Sequence, residues 1–294
     1  MRTLQVAALQ FSCGEDRDGN VATAERLIRE AAKGGAQLVL LPELFETPYF
    51  AKSMRHERYA LAAPIDSHPT LHRLQTLAAD LRIVLPVSFY ERANNAFFNS
   101  VAVFDADGTR LGLYRKSHIP DAPGYLEKYY FSPGDTGFRV WRTRYATLGV
   151  GICWDQWFPE TARALALQGA DLIVYPTAIG TDIDVPSSDS SEPWTRVMQG
   201  HAAANCVGVV AANRVGAETD GAVSTTFFGR SFIADETGRI VAEADRQEEA
   251  VVIATLDLDR MAARRDRWGV FRDRRPELYG ALLSLDGRSA ERQS

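Results

Sequence analysis

The chain has 294 residues, 46% hydrophobic and 24% charged, and its 33 basic and 38 acidic side chains leave a net charge of −5. That length supports one large domain or two small ones with a sizeable core, and the acidic balance argues against nucleic acid or an anionic membrane as the main partner. Three scattered cysteines, Cys13, Cys153 and Cys206, are too few for a disulfide framework, so a reducing cytoplasm is the expected setting.

The first residues, "MRTLQVAALQ", read as a strand over 4–10 rather than a signal peptide. No apolar run approaches the roughly 18 residues that a membrane helix needs. Asn20 is expected to cap a helix that places Val21, Ala24, Leu27, Ile28 and Ala31 on one face and ends at Gly34 and Gly35. The nearly continuous apolar run "AQLVLLPE" over 36–43 reads as a strand buried on both faces. A helix over 69–81 and a strand "RIVLPVSFY" follow. The segment "FNSVAVFDADGTRLGLYRK" then forms a hairpin that turns at 105–108.

The second half repeats this order. "GGAQLVLLPE" aligns with "QGADLIVYPT", "TLQVAAL" with "TLGVGIC", and "FDADGTRLG" loosely with "ADETGRIVA". Two like halves, each needing to bury a sheet, predict an α/β fold: a four-layer α-β-β-α sandwich. Residues 180–192, "GTDIDVPSSDSSE", read as a polar binding loop. We place one domain over 1–259. The Arg-rich, aromatic-interleaved stretch 260–294 reads as a C-terminal arm that crosses a subunit interface or caps a pocket. Its acidic residues speak against nucleic-acid binding.

Three segments carry chemistry. In "GVGICWDQWFPE", Cys153 is expected as an exposed thiol where a strand ends and a helix starts. Backbone N–H groups and the helix dipole there favour a thiolate. The same groups, Trp154 N–H foremost, suit a developing oxyanion. A buried, inert cysteine is the competing reading. Cys206, expected within the core strand "ANCVGVVAAN", and Cys13, in the loop after the first strand, lack this setting and read as packing residues. Glu43 closes a buried strand, where poor solvation suits a general base, although a turn carboxylate would look the same. Lys116 ends a hairpin strand. It is either an ordinary solvated lysine or a cation facing an oxyanion. His118, in "YRKSHIP", is a second candidate base for Cys153. His68 and His72 have a spacing that could hold a metal, but no third ligand supports one.

Taken together, "LPELF", "YRKSHIP" and "GICWDQWFPE" resemble the three signature segments of the nitrilase superfamily of carbon–nitrogen hydrolases, in order and spacing, over about residues 4–280. The resemblance implies a triad of Glu43, Lys116 and Cys153, and a second glutamate, Glu127, that positions substrate or assists proton transfer. It also implies homodimers or larger homo-oligomers and no metal or organic cofactor. Four longer stretches, "KSHIPDAPGYLEKYYFSPGDTGF", "GICWDQWFPETARALALQGADLIVYPTAIG", "WTRVMQGHAAAN" and "RWGVFRDRRPELY", resemble the members that hydrolyse N-carbamoyl amines.

That likeness implies hydrolysis of a small cationic ureido substrate, N-carbamoylputrescine foremost, to the amine, CO2 and ammonia through a thioester-type intermediate on Cys153. Asp182 is then the first candidate to hold the substrate's amine, with Glu192 and Asp155 behind it. Tyr49 and Trp154 are candidates to wall the aliphatic tail. The alternatives within the superfamily are a β-ureidopropionase, an N-carbamoyl amino-acid hydrolase and an ω-amidase. The carboxylate substrates of such enzymes would want a basic residue that 176–192 lacks. A non-catalytic binding protein of the same fold is the other alternative.

Overall fold

Alternation along the first strand sets the architecture. In β1 (Thr3–Gln10) the side chains of Leu4, Val6 and Ala8 enter one buried cluster and those of Ala7 and Leu9 another, because successive residues point to opposite faces. A strand buried on both faces needs a layer on each side. The structure, a computed structural model that describes residues 1–181 and 189–288, supplies helices on one side and a second sheet on the other.

The first half runs β1, α1 (Arg17–Lys33), β2 (Leu38–Leu40), α2 (Pro69–Leu81), β3 (Leu85–Ala93), β4 (Ala96–Phe104), β5 (Arg110–Arg115) and β6 (Val140–Arg142). The second runs β7 (Thr147–Val150), α3 (Pro159–Leu167), β8 (Leu172–Pro176), α4 (Ser191–Asn205) and β9 (Gly208–Ala212). The hairpin β10 (Val215–Asp220) and β11 (Val223–Phe228) follows, then β12 (Phe232–Ala234), β13 (Ile240–Glu243), β14 (Ala250–Asp257) and α5 (Leu258–Trp268).

One sheet has the order β14-β1-β2-β3-β4-β5, its β2–β3 step made by the parallel bridge Leu38↔Val84. The other has the order β6-β7-β8-β9-β12-β13. Both begin with an antiparallel edge strand, continue with three parallel strands and finish with an antiparallel pair. Leu4, Val6, Leu38, Leu148, Leu172 and Val210 meet between the sheets. Helices α1 and α2 cover the outer face of the first sheet, and α3 and α4 that of the second. The four layers expected from the repeat are present. Helix α5 adds Leu258 and Met261 to the central cluster.

The repeat extends to its turns. Gly108 N–H donates to Asp105 O at 2.9 Å and Gly238 N–H to Asp235 O at 2.9 Å. Both glycines are left-handed, at φ 82° and 83°, a conformation that only a residue without Cβ adopts freely. The ladders differ by two residues, since Val6 pairs with Leu38 but Leu148 with Leu172. An even shift keeps each side chain on its face, which is why the sequence alignment of β1 with β7 sits two residues off the structural one.

Three local expectations change. The run 36–43 is buried almost throughout, but only Leu38–Leu40 pair as a strand, and Pro42, which has no N–H to donate, stands just beyond them. Cys206 caps α4 in a left-handed conformation, φ 51°, instead of lying in β9. Asn20 does not cap α1, whose N-cap is Asp16. It lies one turn inside. Its side chain accepts from Gly14 N–H at 2.8 Å and donates to Gly14 O at 2.7 Å and Glu46 O at 2.9 Å, tying the loop after β1 to the loop after β2.

Removing that clamp leaves buried backbone groups unpaired. Asn20→Ala is expected to lower unfolding stability by about 1–3 kcal/mol, read as a shifted urea midpoint at unchanged slope.

Candidate active site

Glu43 and Thr177 stand at equivalent ends of β2 and β8, and Glu43 N–H donates to Thr177 O at 3.2 Å. The two halves thus meet at the carboxyl ends of their parallel strands, where open α/β sheets place their sites. The Glu43 side chain is fully buried. Its Oε1 accepts from Asn99 Nδ2 at 2.6 Å and from Lys116 Nζ at 2.9 Å. Its Oε2 is buried with no hydrogen-bond partner among the described residues.

Lys116 follows β5 and is no solvated strand end: its side chain is completely buried. Its backbone N–H donates to Asn99 O at 2.9 Å, extending the β4–β5 ladder by one step. Nζ bridges Glu43 to Glu127, at 2.7 Å from Glu127 Oε2 and 2.9 Å from Oε1. Glu127 also accepts from the Tyr49 hydroxyl at 2.5 Å. Burial disfavours the charge on Lys116, but the Glu127 and Glu43 carboxylates more than offset it and hold the ammonium protonated beyond its usual range. Burial pushes the Glu127 carboxyl up to about 7; Lys116 pulls against that rise and Glu43 adds to it.

Cys153 opens a short 3-10 turn, Cys153–Trp157, three residues beyond β7 and ahead of α3. Its φ is +41°, a strained conformation for a residue with Cβ. The turn is held from beneath by Asp155. This buried carboxylate accepts from Ile152 N–H at 2.9 Å, the Tyr114 hydroxyl at 2.7 Å and His118 N–H at 3.0 Å, and meets His118 Nδ1 at 2.7 Å. The sequence expectation of an exposed, acidified thiol is corrected here. Burial and the Glu43 charge push the Cys153 thiol well above its ordinary range, with Lys116 opposing. These surroundings disfavour the thiolate, the form that a base beside the sulfur would have to produce.

His118 is not placed as that base. Its imidazole is engaged by Asp155 and stacked on Phe158 at 3.6 Å. Asp155, with both oxygens occupied, is withdrawn as a seat for a substrate amine. Glu192 is spent as well, in ion pairs with Arg230 at 2.9 Å and Arg196 at 3.2 Å. Asp182 lies outside the described residues. Tyr49 is buried and packs edge-on to Phe227 at 6.1 Å, and its hydroxyl serves Glu127. Trp154, 38% exposed, rests near Trp157. His68 is buried beside Glu46, and among the described residues no group of three His, Cys, Asp or Glu could hold a metal.

Sequence reasoning missed Asn99, and it read Asp155 only as a candidate for the substrate's amine, not as the brace of the Cys153 turn. Asn99 was visible as a polar residue inside the apolar strand "FFNSVAVF", and Asp155 as an acid two residues past the cysteine.

Residues 5–266 match the protein family described as carbon-nitrogen hydrolase. The chain is 58% identical to an N-carbamoylputrescine amidase of Solanum lycopersicum, over 97% of each chain. It is 50% identical to a citrullinase of Francisella tularensis, covering 96% of this chain and 99% of that one. A carbon-nitrogen hydrolase from Helicobacter pylori G27 superposes with a TM-score of 0.91 at 37% identity, over 97% and 99% of the two chains.

The Glu127 carboxyl yields a pH test. A carboxyl raised to about 7 in the fold favours folding below the ordinary glutamate range, near pH 4.3, and that contribution is lost as pH rises through 7. Wild-type stability should therefore fall between pH 5 and 8 by about 2–3 kcal/mol relative to Glu127→Gln, as measured by paired urea titrations.

Proposed function

The chain belongs to the carbon–nitrogen hydrolase family, and we propose that it hydrolyses N-carbamoylputrescine to putrescine, CO2 and ammonia, with Cys153 as nucleophile, Glu43 as base and Lys116 as the oxyanion's cation. The observation that supports these roles best is geometric: a buried cysteine near a buried Glu43 carboxylate that the Lys116 ammonium pairs on one oxygen and that has its other oxygen unpaired among the described residues. The high identity to N-carbamoylputrescine amidases over nearly the whole chain supports the substrate.

Glu43 takes the thiol proton as sulfur adds to the ureido carbon. The negative oxygen that forms meets the Lys116 ammonium and the Trp154 N–H. The proton on Glu43 passes to the terminal nitrogen, the C–N bond breaks, ammonia departs, and a thiocarbamate remains on Cys153. Water then gives a proton to Glu43 and adds to the same carbon. The C–S bond breaks, sulfur recovers the proton, and the released carbamic acid loses CO2 to leave the amine. Glu127 keeps Lys116 aimed at the oxyanion and assists proton movement. Thiol, base and cation carry each step without a metal or organic cofactor.

We assign the substrate's distal ammonium to Asp182, because the two other acidic candidates are occupied. Of the arm expected over 260–294, α5 is tied into the domain through Met261 and Arg265, and the part beyond α5 packs on a second copy in a homodimer or larger homo-oligomer. Its apolar side chains support this, Leu278 being 65%, Leu282 62% and Leu283 90% exposed. The three free cysteines suit the cytoplasm as the setting.

Ammonia release from N-carbamoylputrescine, citrulline, N-carbamoyl-β-alanine and a simple amide tests the reading. Release from the first, absent in Cys153→Ala, is expected. Activity on citrulline alone would overturn the substrate and keep the nucleophile. Asp182→Asn is expected to raise KM for N-carbamoylputrescine by roughly 10–100-fold, the cost of one charge-assisted contact, and to spare uncharged ureas. Equal loss on both would remove Asp182 from the amine site. Light scattering should return at least a dimer mass, and a monomer would remove the arm's role.

A further inference from the structure

We infer that Arg214 is a positioning residue that holds the Glu43 carboxylate in place through the backbone of its turn. This rests on Glu43 serving as the base.

Arg214 stands two residues beyond β9, bridged in parallel to Phe11 at the end of β1. It is completely buried. Its guanidinium crosses from the second half of the chain to the first. Nε donates to Glu43 O at 3.2 Å, and Nη2 to Glu43 O at 2.9 Å and Leu44 O at 2.5 Å. Nη1 reaches Thr47 O at 2.8 Å and Glu218 Oε1 at 2.9 Å. Leu44 has a left-handed φ of 48°. Its own N–H is already committed to Ser88 Oγ at 3.0 Å. The turn carrying Glu43 therefore aims its carbonyls inward, at one planar fork whose donors diverge to match them.

The Glu218 end of the ion pair reaches the other carboxylate of the site. Glu218 Oε2 accepts from Lys52 Nζ at 2.8 Å and from Tyr49 N–H at 2.6 Å, and the Tyr49 hydroxyl binds Glu127. One buried ion pair thus braces the backbone of Glu43 on one side and Tyr49, the partner of Glu127, on the other. Stability is a poor reason for such a pair, since its desolvation cost rivals its attraction and apolar side chains often serve a core as well. Orientation is a better one. A reacting group displaced by about 1 Å can lose roughly 100-fold in rate.

Arg214→Lys keeps the charge but replaces the fork with a compact ammonium that cannot reach the carbonyls of residues 43, 44 and 47 and Glu218 together. It is expected to lower kcat by roughly 100-fold with KM changed less than about threefold. It should also slow alkylation of Cys153 by iodoacetamide at neutral pH and move that rate profile to higher pH. Arg214→Gln should do the same or more; if it fails to fold, Arg214→Lys decides. Leu74→Ala, in the outer layer on α2, is the control for lost stability and should keep wild-type kcat while folded. Wild-type kcat and alkylation in Arg214→Lys would overturn the inference, as would an equal kcat loss in Leu74→Ala. Should the wild-type chain leave N-carbamoylputrescine intact, the substrate reading fails, and the alkylation profiles still decide the role of Arg214.

Discussion

One buried ammonium between two carboxylates is the contact on which the rest of the site depends. Lys116 is completely enclosed, as are Glu43 and Glu127 to within about a percent. None of the three charges would be tolerable there alone, because the desolvation cost of an isolated buried ion exceeds what a small domain can spare. Together they are stable only in one geometry, and the chain supplies fixed partners for it. Asn99 holds one carboxylate and Tyr49 the other. The sulfur is brought to this cluster on a turn whose strained first residue is braced by Asp155. Burial and the two carboxylates push that thiol up, and the Lys116 ammonium pulls it back.

The duplicated scaffold explains why these groups can be placed so closely. Two sheets of the same order bring the ends of β2 and β8 into hydrogen-bonding contact through Glu43 and Thr177. The symmetry stops at the chemistry. One strand end carries an acid and the other a hydroxyl, Cys153 opens a 3-10 turn that follows β7 and has no counterpart after β1, and the β10–β11 hairpin interrupts only the second half. Burial and topology come from what the halves share, and the reaction comes from where they differ.

Much of this was legible in the residues, for identifiable reasons. The doubly buried strands left near-continuous apolar runs, the α1 and α2 faces showed their period, and the turn glycines sat at matching offsets. Glu43, Lys116 and Cys153 stood out because each ends or follows an apolar strand. The state of Cys153 was not legible, since position in a motif says nothing of how far a side chain lies from water. The companions of the site were harder still. Asn99 and Arg214 act across 56 and 171 residues of sequence, and Asp155, besides binding its own turn, reaches His118 across 37; local pattern does not encode such reach. Arg214 carried the same local signal as Glu43, a charge closing the apolar run "GVVAAN", and went unread because no motif drew attention to it.

The pairing of β1 with β14 has a consequence for the order in which the molecule is made. Thr3 pairs with Asp257 and Gln10 with Ala250, so β1 receives its outer neighbour only after the other strands of both sheets have been made. The second sheet has no such delay, because β6 and β7 adjoin in sequence. Until β14 is synthesised, β1 presents an open edge with buried-type side chains on both faces, the kind of surface that pairs with other chains when left exposed. The nascent protein is thus expected to complete its second sheet first and to close the first sheet only after β14 has been made. Newly made chains would be most in need of chaperones during that interval.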